Sequence, residues 1–423
     1  MMYNETDINK LIQPIVDRQI EINTYVIRKI AQRIKSIGEL LPSDAYKLEQ
    51  LAKTGADVRD INKRLTALTK LQLSDIKKVI RTVAGNIYKA ARSFFDYRQK
   101  PYIPFNENEQ VQRVVKAIET QTSGTYKNMA KAQAFMVRDP KNPTKLKPTT
   151  ISRTYQNTVD KAIQTVQSGI QDYQTTMRET LKEITDSGIV SVEYNTETGK
   201  QYTQRLDTAV RRNLLDGVAQ VSQEVQNEVG KQFGADGVEI TVHNCPAPDH
   251  QYVQGHQFTM SEYAKIAPIA TIQKDGSIDN SAYDFEEGDV VYDIQGRAYA
   301  RFKRRITTCN CRHFAYNIII GQAPQNYSDK QLKEILKENE KGVDIDGKHY
   351  TKYQATQVQR RLETEIRKHK DAQMAAKEAG DIDGAKKYQK KVTLLTKEYK
   401  AFSAKAGFTP KLERIKVEGY KRI

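Results

Sequence analysis

YQNTVDKAIQTVQSGIQDYQTTMRETLKEITDSGIVSVEYNTETGKQYTQRLDTAVRRNLLDGVAQVSQEVQNEVGKQF, residues 155–233, is the stretch that decides the fold class. Tyr155, Val159, Ala162, Ile163, Val166, Ile170, Tyr173, Met177, Leu181 and Ile184 recur three and four apart, the spacing that lines one face of a helix. A helix this long needs a partner. Leu206, Val210, Leu214, Val218, Val221, Val225 and Val229 offer one with the same rhythm. Between them VSVEYNTETGKQY, 190–202, alternates about a polar, glycine-containing centre and reads as a β-hairpin. The spacing predicts a long helical pair with a β-hairpin over 151–236, its apolar stripes serving as core.

Upstream, Ile8, Leu11, Ile12, Ile15, Ile22, Val26, Ile30 and Ile34 mark an amphipathic helix that Pro42 and Ser43 stop. Shorter helical phrases follow at 46–53, closed by Gly55, at 58–71, and from a cap at Ser74 to about Tyr97. Residues 1–99 are therefore expected to form an N-terminal helical bundle. KPYIPFNEN, 100–108, cannot continue a helix and reads as a strap. A further helix should reach Val137, and DPKNPTKLKP, 139–148, reads as an exposed linker, so 100–150 is strap, helix and linker.

Downstream the texture changes. From 237 to 322 short alternating runs, VEITV, DVVYDI and HFAYNIII, lie between Gly, Pro, Asp and Asn, which predicts a small α+β module. Residues 323–423 return to helix, at 328–341 and from 355 to about 399, and end in a basic tail. The expected fold is mainly α with a small α+β module.

Composition narrows the function. The chain has 68 Lys and Arg against 52 Asp and Glu, a formal charge of +16, so a polyanion such as double-stranded DNA is a candidate neighbour. Arg360, Arg361, Arg367, Lys368, Lys370, Lys411, Arg414 and Lys416 are the candidate DNA-facing residues; the competing reading is a solvated helix face threaded by pairs with Glu363 and Glu365. No run is long and apolar enough to suggest a membrane span. Three cysteines cannot form a closed disulfide framework.

The cysteines are more informative by position. Cys245, Cys309 and Cys311 share the 237–322 module with His243, His250, His256 and His313. Thiolate and neutral imidazole are the ligands zinc prefers, which makes His250, Cys311 and His313 candidate metal ligands and zinc the one cofactor to consider. Against this, Cys309 and Cys311 stand one residue apart, too close for both to hold one tetrahedral ion easily. The favoured reading is a structural polar network of His243, Asp249, His250, Gln254, Asn310, Arg312 and His313 that pins the ends of the module together. A His/Asp acid–base pair is a third possibility. No phosphate loop, nucleophile elbow or HExxH accompanies it, so no catalytic residue is assigned and the chain reads as a non-enzyme.

Taken together, YKLEQLAKTGADVRDINKRL at 46–65, KPYIPFNEN at 100–108, TSGTYKN at 122–128, VQSGIQDYQTTMRETLKEITDSGI at 166–189, FGADGVEITVHN at 233–244, PAPDHQYVQGHQF at 246–258, NCRHFAYN at 310–317 and GKHYTKYQATQVQRRLE at 347–363 resemble the phage minor capsid protein 2 family over nearly the full length. The family's polar signature falls on His243, Asp249, His250, Gln254, Gly255, Gln257, Phe258, Asn310, Cys311, Arg312 and His313, and leaves out Cys245 and Cys309. The resemblance implies a structural virion protein of a tailed-phage head, acting in head morphogenesis near the portal. Its partners would be the portal protein and the major capsid protein, with no membrane and no small-molecule substrate, and it would be assembled in the bacterial cytoplasm. Two other readings remain open: a DNA-binding protein packaged in the head and ejected with the genome, and a metal-dependent enzyme built on the Cys/His module.

Overall fold

The computed structural model describes residues 5–38, 44–139, 141–167, 171–194, 201–243, 245–267, 271–272, 278–279, 290–300, 302, 304–307 and 311–423. They are mainly helical, with short antiparallel sheets and a small α+β module, as the periodicities predict. No described helix is long and apolar enough to cross a membrane. Contacts divide the chain into two compact units, each drawn from three separate stretches: 1–12, 73–125 and 212–357 in the first, 13–72, 126–211 and 358–423 in the second.

α1 (Glu5–Gly38) carries the predicted stripe, with Ile12, Ile15, Ile22, Val26, Ile30 and Ile34 buried. The stop at Pro42 and Ser43 lies outside the described residues. The separate helices expected over 46–97 are corrected: α2 (Asp44–Ala90) runs unbroken through Gly55 and Ser74, and only the short α3 (Arg92–Tyr97) follows it. A glycine inside a helix costs about 1 kcal/mol relative to alanine. Burying one isoleucine contributes about 1.5–3 kcal/mol, and α2 buries Ile61, Ile76, Ile80, Val83 and Ile87. The apolar stripe outweighs the punctuation.

Residues 100–108 are irregular, and the structure shows what fastens them. Tyr88 donates its hydroxyl to the Ile103 carbonyl at 2.8 Å and accepts from Asn108 at 2.7 Å, while its ring lies 5.3 Å from that of Tyr102 and 5.9 Å from that of Phe105. Asn108 also caps α4 (Glu109–Lys131) by accepting from the Val111 amide.

That helix ends before Val137, and the predicted linker is a strand. β1 (Gln133–Asp139) and β2 (Asn142–Thr150) pair antiparallel, with Pro148 opposite Met136. The sheet order β2-β1-β3-β4 places β2 at an edge, where a residue lacking an N–H breaks no ladder. Next, the rhythm of 155–184 proves to be carried by two helices, α5 (Ile151–Gln167) and α6 (Tyr173–Ser187). Asp172 is extended and accepts from the Thr175 amide, so it starts a new helix instead of continuing the old one. α5 and α6 pack on each other and on β1. The predicted hairpin is β3 (Val190–Tyr194) and β4 (Gln201–Arg205); its tip lies outside the described residues. α7 (Leu206–Phe233) forms as expected, and from residue 212 it belongs to the first unit.

Within that unit, β5 (Gly237–Ile240), β6 (Gln257–Thr259), α8 (Met260–Ile266), β7 (Thr271–Ile272), β8 (Ile278–Asp279), β9 (Val291–Tyr292), β10 (Ala298–Tyr299) and β11 (Ala315–Ile318) form the module. Its three-stranded sheet, ordered β11-β5-β6, is antiparallel, and Val238, Ile240, Val253, Phe258, Phe302 and Ile306 fill its core. α9 (Asp329–Lys341) starts at a capping box between Ser328 and Gln331.

The C-terminal helix predicted from 355 to 399 is likewise two: α10 (Lys352–Glu378) and α11 (Ile382–Lys405). Gly380, at φ +85°, turns the chain, and Asp381 caps α11 by accepting from the Gly384 amide. Tyr399 reaches Glu363 and Gln359 reaches Ser403, each at 3.0 Å, so α11 runs back along α10.

Candidate Cys/His site

Two segments of the first unit meet. One is the turn after β5, where Cys245 adopts φ +72° and Gly255 φ +70°. Gly255 is required there: a Cβ would come 2.5 Å from Leu332 Cδ2. The other is the segment entering β11, tied to β5 by hydrogen bonds from the Thr241 amide to the Phe314 carbonyl (2.8 Å) and from the Phe314 amide to Thr241 Oγ1 (2.9 Å). Gln223 of α7 holds both backbone groups of Ala315. Cys311 and His313, two residues apart, enter the interior together with His250; all three are buried.

Hydrogen bonds fix which nitrogen of each ring carries a proton. His250 Nε2 donates to the Arg304 carbonyl at 2.8 Å, since that oxygen can only accept. Gln254 Oε1 accepts from the His243 amide at 2.7 Å, which sets the orientation of its side chain, and therefore also accepts from His313 Nε2 at 3.1 Å. Both histidines are left with an unprotonated Nδ1. Each Nδ1 faces the Cys311 sulfur, His313 at 3.4 Å and His250 at 3.7 Å. Burial pushes both rings below the ordinary imidazole range, His313 far below it with the neighbouring His243 and His250 adding to the effect, and pushes the Cys311 thiol up.

Of the residues predicted for the polar network, His243, His250, Gln254 and His313 come together, the His243 and His313 rings edge to face at 4.7 Å. Asp249 sits at the margin, 3.5 Å from His250 Nε2 and 3.4 Å from Arg304. Arg312 points elsewhere, to Asp216 at 3.4 Å, as expected for the residue between two inward neighbours. Asn310 and Cys309 lie outside the described residues. Sequence reading missed a second knot: His256 Nδ1 accepts from Arg297 at 2.8 Å, Arg297 Nε bonds Asp293 at 2.6 Å, and Tyr299 donates to Asp293 at 2.9 Å. It also missed buried Glu239, held by Gln257 and Asn326. No fixed spacing announces such contacts.

The basic candidates scatter. Arg360 and Arg361 are exposed. Arg367 is corrected as a surface residue: its side chain is 8% exposed and lies 3.1 Å from Asp207, inside a buried set in which Arg205 bridges Asp207 and Asp371. Lys368 pairs with Asp186 and Glu365, Lys370 donates to the Ile415 carbonyl, Arg414 approaches Glu363, and Lys416 approaches Asp17. Lys411 is half-buried, its amide on Tyr399. The exposed cations gather instead on α11, where Lys386, Lys387, Lys390, Lys391, Lys397 and Lys400 all face solvent.

The comparisons agree with the sequence resemblance. The family model described as phage minor capsid protein 2 matches residues 4–404. No curated protein and no solved structure matches the chain.

Proposed function

This chain belongs to the phage minor capsid protein 2 family, and from that premise we propose that it serves at the portal vertex of a tailed-phage head, contacting the portal and major capsid proteins during head morphogenesis in the host cytoplasm. A structural place in the virion follows from the family itself. The observation that carries the finer reading is the extent of the match, residues 4–404, which leaves the Cys/His module and both C-terminal helices within the shared architecture. The arrangement of charge supports it, because Arg367 and Lys368 of α10 and Arg414 of the tail are engaged in ion pairs within the fold. Mass spectrometry and cross-linking of purified heads test the proposal. Peptides of this chain should appear in heads and cross-link to portal subunits; heads that lack them would end it.

A second reading, contact with packaged DNA, is favoured by α11. That helix has seven lysines against two acids, and all seven lysines are exposed. Duplex affinity should fall steeply with salt, as expected when several lysines displace condensed counterions.

A further inference from the structure

His250, Cys311 and His313 do more than satisfy one another. A thiol brings at most one proton, so it can bond to only one of the two Nδ1 lone pairs that face it, and a thiolate could bond to neither. The other lone pair then faces the sulfur lone pairs in a buried site with no proton for the two to share, an arrangement that costs free energy unless a cation bridges them. We infer that His250 Nδ1, Cys311 Sγ and His313 Nδ1 bind a single divalent zinc ion, which ties the turn after β5 to the segment entering β11.

Three observations carry this. First, the three ligand atoms lie within 4.8 Å of one another, and all three residues are buried. Second, the two sulfur–nitrogen distances fit. Tetrahedral zinc with bonds of about 2.3 Å to sulfur and about 2.0 Å to nitrogen separates S from N by roughly 3.6 Å, and the observed separations are 3.4 and 3.7 Å. Third, the outer bonds are those that ligating histidines make: each ring donates its far N–H to an oxygen, the Arg304 carbonyl for His250 and Gln254 Oε1 for His313. Those bonds hold the lone pairs in place before any ion arrives. One sulfur with two imidazole nitrogens is a donor set suited to zinc over magnesium or calcium, which favour oxygen. Three protein ligands leave one position for a water. The objection from Cys309 and Cys311 standing one residue apart does not bear on this set, which uses one sulfur, that of Cys311.

The test uses the full-length chain, purified without chelator and equilibrated with micromolar zinc. Elemental analysis should find one zinc per chain, falling to none in C311S and H313N and unchanged in C245S. Cobalt in the unaltered chain should give a thiolate-to-metal charge-transfer band and the intense visible bands of tetrahedral coordination, which reads the sulfur ligand even if C311S does not fold. Zinc-free wild-type protein, zinc retained in C311S, or cobalt bound without the charge-transfer band would each overturn the inference.

Discussion

His256 shows how a single buried ring sets the response of the fold to acid. Burial, and secondarily the charge of Arg297, lowers it to about 4, against about 6.5 for an unfolded histidine. The folded chain therefore keeps this ring neutral where the unfolded chain takes up a proton. Its contribution to stability is complete above about pH 6.5, shrinks as the pH falls, and is gone near 4; the difference amounts to about 3 kcal/mol. Asp293, held below the carboxylate range against its own burial by Arg297 and Tyr299, loses its contribution only at more acidic pH. Denaturation in urea at pH 7, 6, 5 and 4 should show stability dropping through this window. H256Q, which retains an acceptor for Arg297, should flatten the slope by a large fraction; an unchanged slope would remove His256 as its source.

At the scale of elements, α2 asks which of two sequence signals prevails. Punctuation by Gly55 and Ser74 predicts helix ends, while the stripe through Ile61, Ile76 and Ile80 predicts continuity, and the structure follows the stripe. Gly55 is helical, and a Cβ there would meet only Arg59 Nη1 at 3.5 Å. G55A should therefore stabilise the chain by roughly 0.5–1 kcal/mol, read as a rise in the urea midpoint at constant slope. If Gly55 ended a helix in a left-handed conformation, the same change would destabilise. Legibility follows a similar physical line. Helix type was readable from period alone, as in α1 and α7, and the β3–β4 hairpin from alternation. Breaks were not, because Asp172 and Gly380 interrupt stripes that stay nearly in phase across them, and only the caps reveal the join. The β1–β2 pair was hidden by prolines that look like linker until β2 is known to be an edge. For the site, the clustering of His and Cys was visible, but the facing of two Nδ1 atoms on one sulfur depends on Gln254 and the Arg304 carbonyl, which no spacing encodes.

For the whole molecule, charge must be divided between what holds the fold and what faces outward, and the formal +16 does not distinguish them. Arg367 and Arg205 flank Asp207; burial alone would raise that carboxylate, and the two guanidiniums together hold it below its ordinary range. Asp371 in the same set goes the other way, since burial outweighs Arg205 even with Asn23 donating at 3.1 Å. Removing one cation leaves a buried carboxylate with half its support, so R367A should cost about 3 kcal/mol of stability. It should leave the salt dependence of duplex binding unchanged, because Arg367 is buried against Asp207. The α11 lysines predict the reverse. They are exposed and are not what holds the core, so K386E/K390E/K397E should change the unfolding midpoint by less than about 1 kcal/mol. The same triple variant should reduce the slope of log affinity against log salt by about 3, one counterion per lost phosphate contact. Equilibrium unfolding and fluorescence anisotropy on one pair of variants thus separate the two kinds of cation. A slope that R367A lowers and the triple variant leaves alone would move the nucleic-acid surface off α11 and back into the set of residues first singled out by sequence.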